Sequence, residues 1–162
     1  MAGQVDLPRL EAVVDRSGVS EAIEALLPRG VRPRQLSVRT LLCGLLATLA
    51  DGRPAHLTWV HKTLVSLADE DRWRLGVVAN WKTGPHLLTY RQCERTFGLT
   101  VASLARSEPD GTPSDALSSV VDALCEASIP ATWQDTSHSL AIDWSDIGTF
   151  SAPPPMKGGT CD

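Results

Sequence analysis

Between residues 7 and 27 the apolar positions Leu10, Val13, Val14, Val19, Ile23, Leu26 and Leu27 recur at steps of three and four, broken at Arg16-Ser17-Gly18. That period covers one side of a helix, so two short helices with a turn are expected, the second capped by Ser20 and closed by Pro28 and Gly30. Ser37 is placed to cap a helix through "VRTLLCGLLATLADG", apolar on nearly every side and therefore central to a bundle, with Gly52 and Pro54 ending it. In "HLTWVHKTLVSL" the residues Leu57, Val60, Leu64 and Leu67 share one helical face, and "DEDRWRLGV" reads as a short capped helix closed by Gly76. "NWKTGPHLL" reads as a loop from its Asn, Gly and Pro content. Thr89 is placed to cap a helix whose expected buried stripe is Cys93, Phe97, Val101 and Leu104, with Arg91 and Arg95 facing outward. Pro109, Gly111 and Pro113 mark a linker, after which Ser114 caps a helix stopped by Pro130.

Beyond these helices, residues 139–143 form the one run expected to be a strand, Ser-Leu-Ala-Ile-Asp, and "SAPPPMKGG" after it reads as a loop. The expected fold class is mainly α: a helical bundle over residues 1–130, followed in 131–162 by a single β-strand and a loop tail. A lone strand leaves its backbone donors and acceptors without partners, so it must add to something else or open a larger sheet.

Composition narrows the classes. The chain has 162 residues, 43% of them hydrophobic, enough for one domain with a core. The longest apolar stretch, residues 41–50, is about half the length of a membrane span, so no membrane association is expected. No basic-then-apolar leader opens the sequence, and a cytoplasmic location is expected. Cys43, Cys93, Cys125 and Cys161 stand 50, 32 and 36 residues apart, without C-x-x-C pairing, and read as reduced structural thiols. His56 and His61 are five apart, which does not stack two imidazoles on one helical face for a metal. Trp59 and Trp73 are expected in the core.

The net charge of −4 is unevenly spread: residues 1–107 hold 14 basic against 10 acidic side chains, a balance of +4, and residues 108–162 hold 1 against 9, a balance of −8. A basic part suggests an anionic partner. The strongest local field is "PRGVRPRQLSVR", where Arg29, Arg32, Arg34 and Arg39 occur with no acid between Glu24 and Asp51. Contact with DNA phosphates is the functional reading of these four residues; a solvated turn is the plain one. Tyr90, Arg91 and Arg95 lie at the start of a helix and are candidates for DNA contact by a recognition helix, against the alternative of an ordinary amphipathic helix.

The segments "LPRGVRPRQLSVRTLLCGLLATLADGRPAHLTWVHKTL", "LGVVANWKTGPHLLTYRQCERTFGL" and "SLAIDWSDIGTF", taken together, resemble the N-terminal portion of a bacterial insertion-sequence transposase of the DDE class, from about residue 20 onward. The resemblance implies a helical region that recognises transposon ends, followed by a ribonuclease-H-like domain carrying three carboxylates. Its first acid lies on the first strand, usually as Asp-Gly-Thr; here the matching triplet is Asp143-Trp144-Ser145, so Asp143 carries over as the first catalytic acid and metal ligand, with Asp146 as the neighbouring candidate. Mg2+ is the expected cofactor of the complete family site, because in-line phosphoryl displacement is served by two metal ions about 4 Å apart held by hard oxygen ligands. Downstream of Asp143 the acids are Asp146 and Asp162, and no glutamate follows Glu126. The expectation is therefore a truncated transposase that binds double-stranded DNA and has lost strand cleavage and transfer, able to associate with itself or with a full-length transposase. The alternatives are a non-enzymatic helical interaction module, whose strand adds to a partner's sheet edge, and a nuclease completed by oligomerisation.

Overall fold

The computed structural model describes residues 6–28, 34–81, 84–105 and 115–130. Within them the chain is mainly helical, with seven helices and one two-stranded antiparallel sheet. The expected strand at 139–143 lies outside the described residues, as do Arg29, Arg32, Asp143 and Asp146.

Helix α1 (Leu7–Ser17) starts at Asp6, whose carboxylate accepts from the Arg9 amide at 3.2 Å, and has Pro8 in its first turn, where the missing N–H costs nothing. It stops at Gly18, whose φ of +65 is the left-handed value that ends helices, and the same glycine begins α2 (Val19–Leu26). The two-helix expectation is met, but Ser20 is not the cap. It lies inside α2, buried, with its hydroxyl 2.8 Å from a Glu21 carboxylate oxygen.

Helix α3 (Val38–Ala50) is central, as its nearly all-apolar surface predicts, and packs on α1, on α2 and on α4 (Leu57–Ser66). Ser37 caps it, accepting from the Thr40 amide at 3.1 Å. The axes of α3 and α4 come close at Gly44, where a Cβ would fall 2.8 Å from Leu64 Cγ. The core is built on Val14, Ile23, Leu36, Val38, Leu41, Val60, Leu64 and Val77, all under 2% exposed.

After α5 (Asp69–Arg74) the segment expected to be a loop forms a hairpin: β1 (Val78–Trp81) pairs with β2 (Gly84–Leu87), in the register Val78 with Leu87 and Trp81 with Gly84. Two residues separate the strands, the spacing of a tight hairpin, and Gly84 adopts φ +110 where other residues are strained. The apolar pairs Val77-Val78 and Leu87-Leu88 stand at the open end of the hairpin, and the Leu88 amide donates to the Val77 carbonyl at 2.8 Å, extending the ladder into the core. Helix α6 (Tyr90–Leu104) then packs on α2, α3 and α4, and α7 (Ala116–Ser128) lies against α1 and α2.

The two tryptophans expected inside are not buried. Trp73 is 46% exposed because α5 is too short to bury any of its residues, and Trp59 is half-buried on α4. No helix among the described residues is long and apolar enough to cross a membrane.

Candidate nucleic-acid interface

Helix α6 is fixed at its start by a capping box: Thr89 Oγ1 accepts from the Gln92 amide at 3.4 Å, and Gln92 Oε1 accepts from the Thr89 amide at 2.8 Å. Its buried side is Cys93, Thr96, Thr100 and Ser103; of the expected stripe Cys93, Phe97, Val101 and Leu104, Cys93 is buried and Leu104 packs half-buried on the core, while Phe97 and Val101 fall outside it. Phe97 is 37% and Val101 46% exposed. Thr96 Oγ1 donates to the Leu36 carbonyl at 3.4 Å, whereas Thr100 Oγ1 is buried without a hydrogen-bond partner among the described residues, so a mixed row faces the core and an apolar one borders it. Burial pushes the Cys93 thiol up to about 11, and likewise Cys43 of α3, so both stay protonated at neutral pH and are poor nucleophiles.

Away from the core, α6 exposes Arg91, Arg95, Gly98 and Ala102. Neither arginine makes an ion pair among the described residues; Glu94, exposed on the flank, pairs with neither. A Cβ on Gly98 would meet nothing within 4 Å, so this side of the helix is low just beyond two long cationic side chains. Tyr90, 41% exposed, joins α6 to α4: its ring meets His61 edge-on, with centroids 5.9 Å apart, and a His61 ring nitrogen lies 3.0 Å from the Leu88 carbonyl oxygen.

The arginines of the basic segment behave differently. Arg34 is paired with Glu24, whose other carboxylate oxygen accepts from the Val38 amide at 3.0 Å. Arg39 holds Asp15 through two bonds, at 2.5 and 2.7 Å, and reaches Glu11 at 3.1 Å. Its guanidinium keeps the Asp15 carboxyl below the usual carboxylate range. Glu11 is only 5% exposed and also takes Arg74, which pairs with Asp71 at 2.5 Å. This network ties α1 to α3 and to the end of α5, giving Arg39 a partner inside the fold. The structure thus places Tyr90 and Arg91 in the first turn of α6 with Arg95 one turn on, on the same face as Arg91, and puts Arg34 and Arg39 in ion pairs elsewhere.

A further basic group escaped the sequence reading: Arg53 and Lys62, both beside the ring of Trp59. Its signal was a run without acid from residue 52 to residue 68. Open clefts of about 320 Å³, between α1 and α7 and lined by Arg16, Ser17, Ala123, Glu126 and Ala127, and about 270 Å³, between α5 and the hairpin, bring no set of catalytic groups together. Among the described residues no group of three or more His, Cys, Asp or Glu is placed to hold a metal ion; Asp143, the expected Mg2+ ligand, lies outside them. No protein-family model, no curated protein sequence and no solved structure matches the chain.

Proposed function

We propose that the chain is the DNA-binding region of a DDE-class transposase and that it holds double-stranded DNA, the transposon end, against the exposed face of α6. The observation that carries this reading is the pair Arg91 and Arg95, without an ion-pair partner among the described residues and exposed beside Gly98 and Ala102 on a capped helix. Guanidinium groups on a helix of low profile suit a groove edge, where they reach phosphates or the acceptors of guanine. Arg34, Arg39, Arg53, Arg72 and Arg74 are matched to carboxylates, so the counterion release that drives DNA association falls first to cations without such a partner, Arg91 and Arg95 among them; Arg29 and Arg32 stay part of the proposed contact as residues of the basic segment.

On the same reading, Asp143 and Asp146 belong to the first strand of a ribonuclease-H-like domain, and residues 1–162 alone bind DNA without cutting or joining it, because they do not encode the later carboxylates. Asp143 would be one ligand of the Mg2+ that a complete centre uses. The test is fluorescence anisotropy with labelled duplex DNA at low salt. The double variant Arg91→Ala/Arg95→Ala is expected to weaken binding by tenfold or more, about 1.4 kcal/mol, with an unchanged helical circular-dichroism signal. Equal affinity for wild type and variant sinks the assignment to α6.

A second reading, a helical protein-interaction module, has one observation in its favour: Phe97 and Val101 on α6 and Leu117 and Val121 on α7 are large apolar residues left 37% to 56% exposed. Such a module would be indifferent to DNA and would self-associate or capture a protein through those residues.

A further inference from the structure

Trp59 is half-buried on α4, and two cations sit beside its ring: the Arg53 guanidinium carbon 5.0 Å and the Lys62 ammonium 4.7 Å from the centroid. Each is attracted to the negative π face, and together they hold like charges close to one another. Asp51 offsets one of them, taking Arg53 Nε at 2.7 Å. Lys62 has no carboxylate partner among the described residues, and no Asp or Glu occurs between Asp51 and Asp69. The group is therefore exposed and positive, and its donors are steadied by a ring instead of swinging free. With its π face engaged by cations, the indole is a poor platform for stacking a base; what the cluster offers is charged N–H donors, which suit phosphate oxygens.

Two residues beyond Trp59 on the same helix, His61 makes the junction with Leu88 and Tyr90, and Tyr90 is the first residue of α6. Positions 59 and 61 lie about 200° apart round α4, so the junction packs α4 on α6 while the Trp59 cluster occupies a different side of α4.

We propose that Arg53, Trp59 and Lys62 form a clamp for the sugar–phosphate backbone of double-stranded DNA, a second contact separate from that of α6. This inference rests on the DNA-binding reading of α6. A purely structural role, with the two aliphatic stems covering a half-buried ring, predicts a different response to salt.

The experiment is a salt titration of duplex binding by the full chain, comparing wild type with Lys62→Gln, Arg53→Gln and Lys62→Arg. Lys62→Gln is expected to lower the slope of log affinity against log salt by about 0.9, the share of one released counterion, Arg53→Gln to lower it by less because Asp51 already offsets part of its charge, and both to weaken unrelated duplex sequences alike. Lys62→Arg is expected to keep the wild-type slope, and the thermal midpoint of Lys62→Gln to stay near that of wild type. Unchanged slopes in both glutamine variants, while Arg91→Ala weakens binding, overturn the clamp and leave the α6 reading standing. Weaker binding with a lower thermal midpoint and an unchanged slope assigns the cluster to structure and also overturns it. A slope change found only with single-stranded DNA replaces the duplex ligand and counts against the proposal as well. If wild type does not bind duplex DNA, both readings fall together.

Discussion

Two glycines in helices carry opposite expectations, set by what surrounds them. At Gly44 an added Cβ meets Leu64 Cγ at 2.8 Å, and Leu64 is 1% exposed, so the contact cannot relax outward. Overpacking of this kind costs about 1–3 kcal/mol, against a gain of about 1 kcal/mol from replacing a helical glycine by alanine. Gly44→Ala is expected to lower the urea midpoint. Gly98 has open space around it, so Gly98→Ala should raise stability by about 0.5–1 kcal/mol. Matching shifts in the two variants would contradict the close packing of α3 on α4. At the same scale, the sequence made the caps at Ser37 and Thr89 legible, because a hydroxyl ahead of an apolar run is a local signal. It did not make Ser20's place legible, since the turn is governed by the left-handed φ of Gly18, and Ser20 is in helical register behind it.

At the scale of elements, the capping box on α6 predicts a measurable dependence on one hydroxyl. Thr89→Ala should cost about 1 kcal/mol in chemical denaturation. Because the first turn of α6 presents Tyr90 and Arg91, it should also weaken DNA binding more than its effect on stability alone would. A variant as stable as wild type and unchanged in binding would show that the cap does not organise this turn. The helix itself was legible from its apolar period, but its buried face was not. Reading threonine as polar selects Phe97 and Val101 for the core, whereas Thr96 and Thr100 are the residues that pack there. The hairpin was missed for a related reason: Asn80, Gly84 and Pro85 are loop-formers by composition, while the pairing information lies in the apolar pairs Val77-Val78 and Leu87-Leu88 on either side of them.

Across the whole molecule, ion pairing redistributes the charge that the linear sequence displays. Residues 25–50 contain no acid, which made Arg34 and Arg39 look like an open positive field. Folding brings Glu24 to Arg34, and Asp15 and Glu11 to Arg39, so that these two guanidiniums are spoken for. Partners 10, 24 and 28 residues away are invisible to local reading. The Arg39 pairing has a pH signature. Arg39 holds the Asp15 carboxyl below its unfolded value, so its stabilisation is present above the unfolded carboxylate pKa of about 4 and fades as pH falls through the lower folded one. Arg39→Gln is therefore expected to destabilise the protein at neutral pH, with the difference from wild type shrinking below about pH 4. Thermal unfolding across that range checks it, and a difference that grows on acidification would contradict the network.

The central claim, that α6 is the surface that meets DNA, is tested most directly by following backbone amide signals of the isotope-labelled chain by NMR while duplex DNA is added. The account predicts that amides from Thr89 to Gly98 shift first and most, that those around Trp59 and Lys62 follow, and that α1 and α7 stay in place. Shifts confined to α7 and the Phe97 and Val101 edge, or none at all at low salt, would contradict it.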